Sequence, residues 1–97
     1  MRKATLQVQD HESKTWTHEL VEPETLIGRS AAADVRVSDK SMSREHAAIS
    51  WEGDHYLIED LQTTNGTRLN GKRVRSGELN DGDKIQLGQT LITFRYD

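Results

Sequence analysis

Apolar residues in this chain recur at every second position over short stretches, and no window repeats them at the spacing of an amphipathic helix. Alternation of this kind is typical of β-strands with one buried and one solvated face. The pattern therefore predicts an all-β protein. It predicts about ten to eleven short strands, separated by turns rich in Gly, Asn and Asp.

The first half of the chain contains two alternating stretches, a polar interruption and then a hairpin. Pro23, the only proline, ends the second stretch and opens the approach to a strand through Leu26. Glu52-Gly53-Asp54 joins the two strands of the hairpin. The two alternating stretches are predicted strands at residues 4–9 and 15–21, and a short strand is predicted at 35–37. The hairpin consists of strands at 46–51 and 55–61.

In the second half, Asn70-Gly71 lies between residues 67–69 and 72–74, and an Asn-Gly pair between two strands is a strong signal for a two-residue hairpin turn. Strands at 84–87 and 90–96 follow another turn. Many short strands with closely spaced turns predict a β-sandwich of two mostly antiparallel sheets, with loops gathered at its ends.

Length and composition indicate one domain that covers residues 1–97, because a second domain would leave neither half enough interior. Without cysteine, neither a disulfide nor a thiolate metal site can form. The chain starts with alternating rather than continuous apolar residues, so we expect no signal peptide and no membrane anchor. We expect a soluble, cytoplasmic monomer without a cofactor or a metal.

The net charge of −3 argues against nucleic acid as the partner, but the charge is unevenly distributed. Residues 65–77 contain four basic residues and no acidic one. Such a run is often no more than a solvated face. Here it adjoins one of three polar patterns that follow predicted strands, at residues 26–30, 43–46 and 64–71, and it could attract an acidic ligand.

These patterns bring together the donors that a phosphate ester needs. A guanidinium such as that of Arg29 matches phosphate oxygens with a planar fork of donors, and hydroxyls such as that of Ser43 add further bonds. Simpler interpretations exist for each residue. Arg29 could pair with Asp34 or Asp39, and Ser43 could bond its own backbone.

The three patterns resemble those of the forkhead-associated (FHA) family, whose members are β-sandwich modules that bind phosphothreonine peptides. The signature is a Gly-Arg pair, a Ser-x-x-His about fourteen residues later, and two Asn-Gly pairs. The matching residues are Gly28-Arg29, Ser43-Arg44-Glu45-His46, Asn65-Gly66 and Asn70-Gly71, with flanking agreement at 34–37 and 82–88.

The resemblance implies a role for each matching residue. Arg29, Ser43, Arg44 and Thr64 would hold the phosphate. Asn65 and Asn70 would hold the peptide backbone, although turn chemistry alone explains Asn70. Gly28, His46 and Gly66 would support the site. The partner would be a phosphothreonine-containing protein that a Ser/Thr kinase has phosphorylated.

Three other functions compete with phosphopeptide binding. The first is an FHA-like structural or dimerisation module that does not depend on phosphate. The second is a small hydrolase with Ser43 as nucleophile and His46 as base, for which the sequence offers neither a Gly-x-Ser-x-Gly elbow nor an orienting carboxylate. The third is a basic-loop nucleic-acid binder, which the scarcity of loop aromatics disfavours.

Overall fold

The computed structural model describes all 97 residues and contains eleven strands and no helix, which confirms the predicted all-β sandwich. No segment forms a helix that could span a membrane. The strands are β1 (Ala4–Gln9), β2 (Thr15–Glu19), β3 (Glu24–Gly28), β4 (Val35–Arg36), β5 (Ala47–Trp51), β6 (Tyr56–Asp60), β7 (Thr67–Leu69), β8 (Lys72–Val74), β9 (Ser76–Leu79), β10 (Lys84–Leu87) and β11 (Thr90–Tyr96).

Two sheets form the sandwich. One has six strands in the order β2-β1-β11-β10-β7-β8, and the other has five in the order β4-β3-β5-β6-β9. All strand pairs are antiparallel except β3 and β4. The chain therefore crosses between the sheets repeatedly, and its connections gather at the two ends of the sandwich.

Seventeen buried apolar residues form the core, and nearly all of them are the inward-facing members of the alternating stretches; Met42, from the loop before β5, is an exception. Leu6 and Val8 of β1 face Ile92 and Phe94 of β11 across neighbouring rungs. Tyr56 packs edge-on against Phe94, with ring centroids 5.6 Å apart. Burial of these side chains supplies the main stabilisation of the sandwich.

Strand boundaries differ from the prediction where alternation is weak. The second strand ends at Glu19 rather than at residue 21, and β9 includes Ser76 and Gly77, which have no apolar pattern. Gly77 nevertheless pairs with Ile58 in β6. Backbone pairing with a well-formed neighbour thus extends a strand that its own side chains do not specify.

The register places three loops at one end of the sandwich. Ile27, Ala47 and Asp60 lie side by side on one rung of the five-stranded sheet. Residues 29–34, 37–46 and 61–66 form the loops next to this rung. We call this the loop end.

Candidate functional site

Gly28 brings the first loop into direct contact with the second. Arg29 N–H donates to the carbonyl of Ser43 over 3.1 Å, and Ser30 N–H donates to that of Arg44 over 3.0 Å. A Cβ added at Gly28 would lie only 1.9 Å from the Arg44 carbonyl oxygen. Glycine is therefore needed at position 28 because the backbone of the second loop occupies the place of any side chain.

His46 joins the second loop to the third. Its ring is fully buried, and Nδ1 accepts a hydrogen bond from the Ser43 backbone N–H over 3.0 Å. The proton therefore resides on Nε2, which donates to the Gly66 carbonyl over 2.8 Å. Both ring nitrogens are engaged in backbone bonds, and no bond joins the ring to the Ser43 hydroxyl. The nucleophile-to-base contact of a hydrolase is absent.

Asp60, at the end of β6, anchors the third loop through hydrogen bonds. Its Oδ1 accepts the hydroxyls of Thr63 and Thr67 over 2.7 and 2.8 Å, and its Oδ2 accepts the Thr63 N–H over 3.0 Å. Burial alone raises the pKa of this carboxyl, but these bonds and the nearby His46 bring the pKa below the ordinary value of 3.8. Thr63 Oγ1 in turn accepts the Gly66 N–H.

Asp39 holds the second loop in the same way. The side chain is 1% exposed and accepts 2.8 Å hydrogen bonds from Ser41 N–H, Gln89 N–H and the Thr90 hydroxyl. Burial raises the pKa of Asp39, and these bonds outweigh that effect and lower the pKa below 3.8. Asp39 therefore does not pair with Arg29.

Neither anchoring role was predicted for Asp39 and Asp60. The Asp39-x-Ser41 spacing fits a turn in which an aspartate accepts the backbone N–H two residues ahead, and this signal could have identified the first one. Asp60 offers no comparable local signal beyond a polar residue at the end of a strand.

Arg29 is exposed, and its Nε donates to the Met42 carbonyl over 2.8 Å, which leaves both terminal nitrogens without a partner inside the protein. Neither Arg29 nor Arg44 forms a salt bridge. Ser43, Arg44 and Thr64 line one open cleft of about 560 Å³ together with the exposed Glu45, and we call it the phosphate cleft after its predicted ligand. Arg29 does not line this cleft, but it directly precedes Ser30, which does.

Asn65 spans the second and third loops, because its Nδ2 donates to the Ser41 carbonyl over 2.7 Å. Its carbonyl oxygen forms no bond within the protein. Asn65 lines a neighbouring cleft of about 240 Å³ together with Ser41 and Arg68. The structure thus brings Arg29, Ser43 and Asn65 together around the backbone of residues 41–43.

Asn70 lies elsewhere. It occupies the tip of the β7–β8 hairpin with a φ of 51°, at the other end of β7 from Asn65, and it lines neither cleft. Its Nδ2 donates to Asp83 over 3.0 Å, and its Oδ1 accepts the Lys84 N–H over 2.9 Å. An amide has one further donor and one further lone pair, so some bonding capacity remains.

Gly66 turns the third loop back into β7 with a φ of 80°. The Arg73 side chain passes over it, since a Cβ at Gly66 would lie 2.4 Å from the Arg73 Nε. Arg73 also donates to the Thr64 carbonyl over 3.2 Å. The side chain of Arg73 thereby adds a cation to the outer wall of the third loop.

The FHA domain family model matches residues 25–88, which include all three loops. The FHA domain-containing protein FhaA of Mycobacterium tuberculosis is 41% identical over 91 residues, which cover 94% of this chain and 17% of FhaA. The glycogen accumulation regulator GarA of Mycolicibacterium smegmatis is 35% identical over 77% of this chain and 48% of GarA. The chain thus spans about half or less of these relatives.

Solved structures agree closely with the fold. One from an analysis of phosphothreonine-dependent FHA domain interactions has a TM-score of 0.88 and 39% identity, and the match covers 98% of this chain and 97% of that one. The FhaA FHA domain complexed with the intracellular domain of Rv3910 has a TM-score of 0.85, 40% identity and coverage of 95% and 99%. Mycobacterium tuberculosis EmbR in complex with a low-affinity phosphopeptide has a TM-score of 0.85, 32% identity and coverage of 96% and 24%.

Proposed function

Because this chain belongs to the FHA domain family, we propose that it is a phosphopeptide-binding module that recognises phosphothreonine in a partner protein. The observation that carries this proposal is the loop end, where the unpaired cations Arg29 and Arg44 and the hydroxyls of the phosphate cleft stand on loops that two hydrogen-bonded carboxylates hold in place. A solved structure 39% identical to this chain concerns phosphothreonine-dependent interactions, which supports the same ligand.

We propose that Arg29, Ser43, Arg44 and Thr64 hold the phosphate. A phosphothreonine carries about −1.5 to −2 charges at neutral pH, which two guanidiniums can balance. The backbone bonds of the 28–30 and 43–46 segments are formed without a ligand. The backbone that carries the donors is therefore ordered before the phosphate arrives, which reduces the entropy lost on binding.

In this proposal Asn65 binds the peptide backbone. Its Nδ2 is engaged with Ser41, so its free carbonyl oxygen would accept a peptide N–H. A contact of Asn70 with the peptide stays a prediction, and its bonds to Asp83 and Lys84 support a role in fixing β7 against β10. A small apolar niche for the threonine methyl would favour phosphothreonine over phosphoserine by roughly 1–3 kcal/mol.

The remaining expectations complete the proposal. The module would bind without catalysis, as a monomer in the cytoplasm, and its partner would be the product of a Ser/Thr kinase. Residues 1–97 would act as one domain, because β1 and β2 complete the sheet that contains β10 and β11. The FhaA FHA domain, which is 40% identical to this chain, forms a complex with an intracellular domain.

Substitution of Arg29 tests the proposal. Calorimetric titration with a phosphothreonine peptide should show that Arg29→Ala loses on the order of 1.5–3 kcal/mol of binding free energy, or roughly 10- to 150-fold in affinity. Arg29→Lys should recover part of the loss. Arg95→Ala, which removes an exposed arginine of β11, is the matched control and should bind as the wild type does.

The same titration separates the competing functions. The unphosphorylated peptide should not bind measurably, and affinity should fall with added salt because exposed charges are screened. Equal affinity for the two peptides would instead indicate a structural module that does not depend on phosphate.

A further inference from the structure

A third cleft adjoins the third loop and is lined mainly by basic and neutral polar residues. It has a volume of about 770 Å³ and includes Arg73, Arg75 and Ser76 on one side and Gln62 and Thr63 on the other. We call it the basic groove. Gln62 and Thr63 also line the phosphate cleft, so the two clefts share a wall.

The cations of the basic groove are available to a ligand. Arg73 and Arg75 are exposed, and neither forms a salt bridge. The guanidinium of Arg75 makes no hydrogen bond within the protein, whereas the Arg75 backbone carbonyl accepts the Asp60 N–H over 2.8 Å. The backbone at Arg75 is therefore fixed to the end of β6 while its charge remains free.

Two acidic residues also line the groove, and they differ in how far they are available to the arginines. Asp60 keeps its negative charge, but both of its carboxylate oxygens already accept hydrogen bonds from Thr63 and Thr67. Glu59 is exposed on β6, where it pairs with Ser76. The Glu59 side chain forms no hydrogen bond inside the protein, and neither Arg73 nor Arg75 has an acidic partner. The nearby Arg68 and Lys72 add to the positive potential of this region.

We propose that the basic groove binds an anionic group flanking the phosphothreonine, so that the preferred ligand is an acidic phosphopeptide. The inference rests on the proposed function, because the phosphate cleft must first place the peptide across the shared wall. Arg75 and Arg73 then contact a carboxylate or a second phosphate of the same peptide. Arginine suits either group, since its planar fork matches the oxygens of both.

The test compares Arg75→Gln with Lys72→Gln. Both variants remove one positive charge from the same region, but Lys72 does not line the groove. Arg73 is left intact because it also bonds the Thr64 carbonyl of the phosphate cleft. Long-range attraction should therefore change alike in both variants, and only the groove contact should differ between them.

The probes are three peptides of equal length with a central phosphothreonine. One has glutamates before the phosphothreonine, one has glutamates after it, and the third has glutamines in place of the glutamates. The wild type should bind one of the two glutamate peptides about two- to fivefold more tightly than the glutamine peptide. Arg75→Gln should bring this ratio close to one, and it should lower affinity for the glutamine peptide no more than Lys72→Gln does. Lys72→Gln should keep the ratio.

A ratio of one in the wild type, or an equal loss in the two variants, would overturn the basic groove as a ligand site. A further peptide with a second phosphothreonine in place of the glutamates separates the two sources of the anion, since the better ligand identifies the group. Unphosphorylated peptides distinguish the two failures. If phosphorylation of the glutamine peptide adds no affinity, the proposed function fails as well.

Discussion

The two ends of the sandwich use the same polar residue types in opposite ways. At the far end, the turn at residues 80–83 and the tip at Asn70-Gly71 satisfy each other, since Asp83 accepts both the Asn80 N–H and the Asn70 amide. At the loop end, Asp39 and Asp60 accept hydrogen bonds from the loop backbone. Arg29 and Arg44 face outward and have no acidic partners.

The difference shows what distinguishes a turn from a binding site in this fold. At the far end, the polar side chains of the turns bond to the turns themselves and to each other, which leaves little capacity for a ligand. In the site, a separate set of buried carboxylates does that work. The exposed donors are therefore free, yet they stand on a backbone that is already ordered.

The largest effect is expected where the loop end depends on backbone contact. Gly28→Ala should reduce the free energy of unfolding by more than about 3 kcal/mol, since its Cβ would clash with the Arg44 backbone, and phosphopeptide binding should be lost. Gly77→Ala is the matched control because its Cβ would meet only the end of the Leu69 side chain, at 2.8 Å. It should cost no more than about 1 kcal/mol in urea unfolding. Equal stabilities of Gly28→Ala and Gly77→Ala would contradict the close contact between Gly28 and the Arg44 backbone.

Asp60→Asn tests the carboxylate beneath the third loop. At neutral pH the variant should lose roughly 2–3 kcal/mol of unfolding free energy, because an amide cannot accept all three bonds. Glu22→Gln, an exposed acid without such bonds, should change little.

At acidic pH, the difference in unfolding free energy between the wild type and Asp60→Asn should become smaller. The lowered pKa of Asp60 means that its stabilisation is complete above the unfolded value of 3.8 and is lost as the pH falls through 3.8 to the folded value. Urea unfolding over this range should show the wild type approaching the variant. A difference that does not depend on pH would exclude the charge as its cause.

Asn65→Ala and Asn70→Ala compare the ends directly. Asn70→Ala should lose roughly 1.5–2.5 kcal/mol of stability, since it removes two hydrogen bonds and places alanine at a positive φ, while binding changes little. Asn65→Ala should lose about tenfold in phosphopeptide affinity and only about 1 kcal/mol of stability. Titration and urea unfolding of both variants check this. Strong loss of binding in Asn70→Ala would instead support its predicted contact with the peptide.

The smallest effect concerns His55 at the far end. A hydrogen bond that the His55 ring donates to Asp54 raises the pKa of His55 above 6.5, and the negative charges of Asp54, Glu78 and Glu52 add to this. Its contribution to stability is therefore present below 6.5 and is lost as the pH rises through the raised pKa. A small fall in the urea midpoint over this range should disappear in His55→Gln. At the loop end the pH dependence has the opposite sign, because the contribution of Asp60 to stability is lost as the pH falls.

Much of the fold could be predicted because alternation is a local property. Residues 4–9, 67–69, 72–74, 84–87 and 90–96 form strands with the predicted boundaries, since each stretch alternates or flanks an Asn-Gly turn. Residues 76–79 could not be predicted in full, because Gly77 is held in β9 by Ile58 and not by its neighbours in sequence.

The sequence alone also supplied the family motifs, and with them the candidate ligands Arg29, Ser43 and Asn65. What it left undecided was which polar groups the protein uses for itself. Asp39 could have paired with Arg29, but it bonds instead to Gln89 and Thr90, fifty and fifty-one residues away.

Local sequence determines strands and turns because backbone sterics and two-residue periodicity act between neighbours. Only the tertiary structure decided which donors remain free. Hydrogen bonds join groups that folding brings together, however far apart they lie in the chain, and a donor can bind a ligand only if no such partner reaches it.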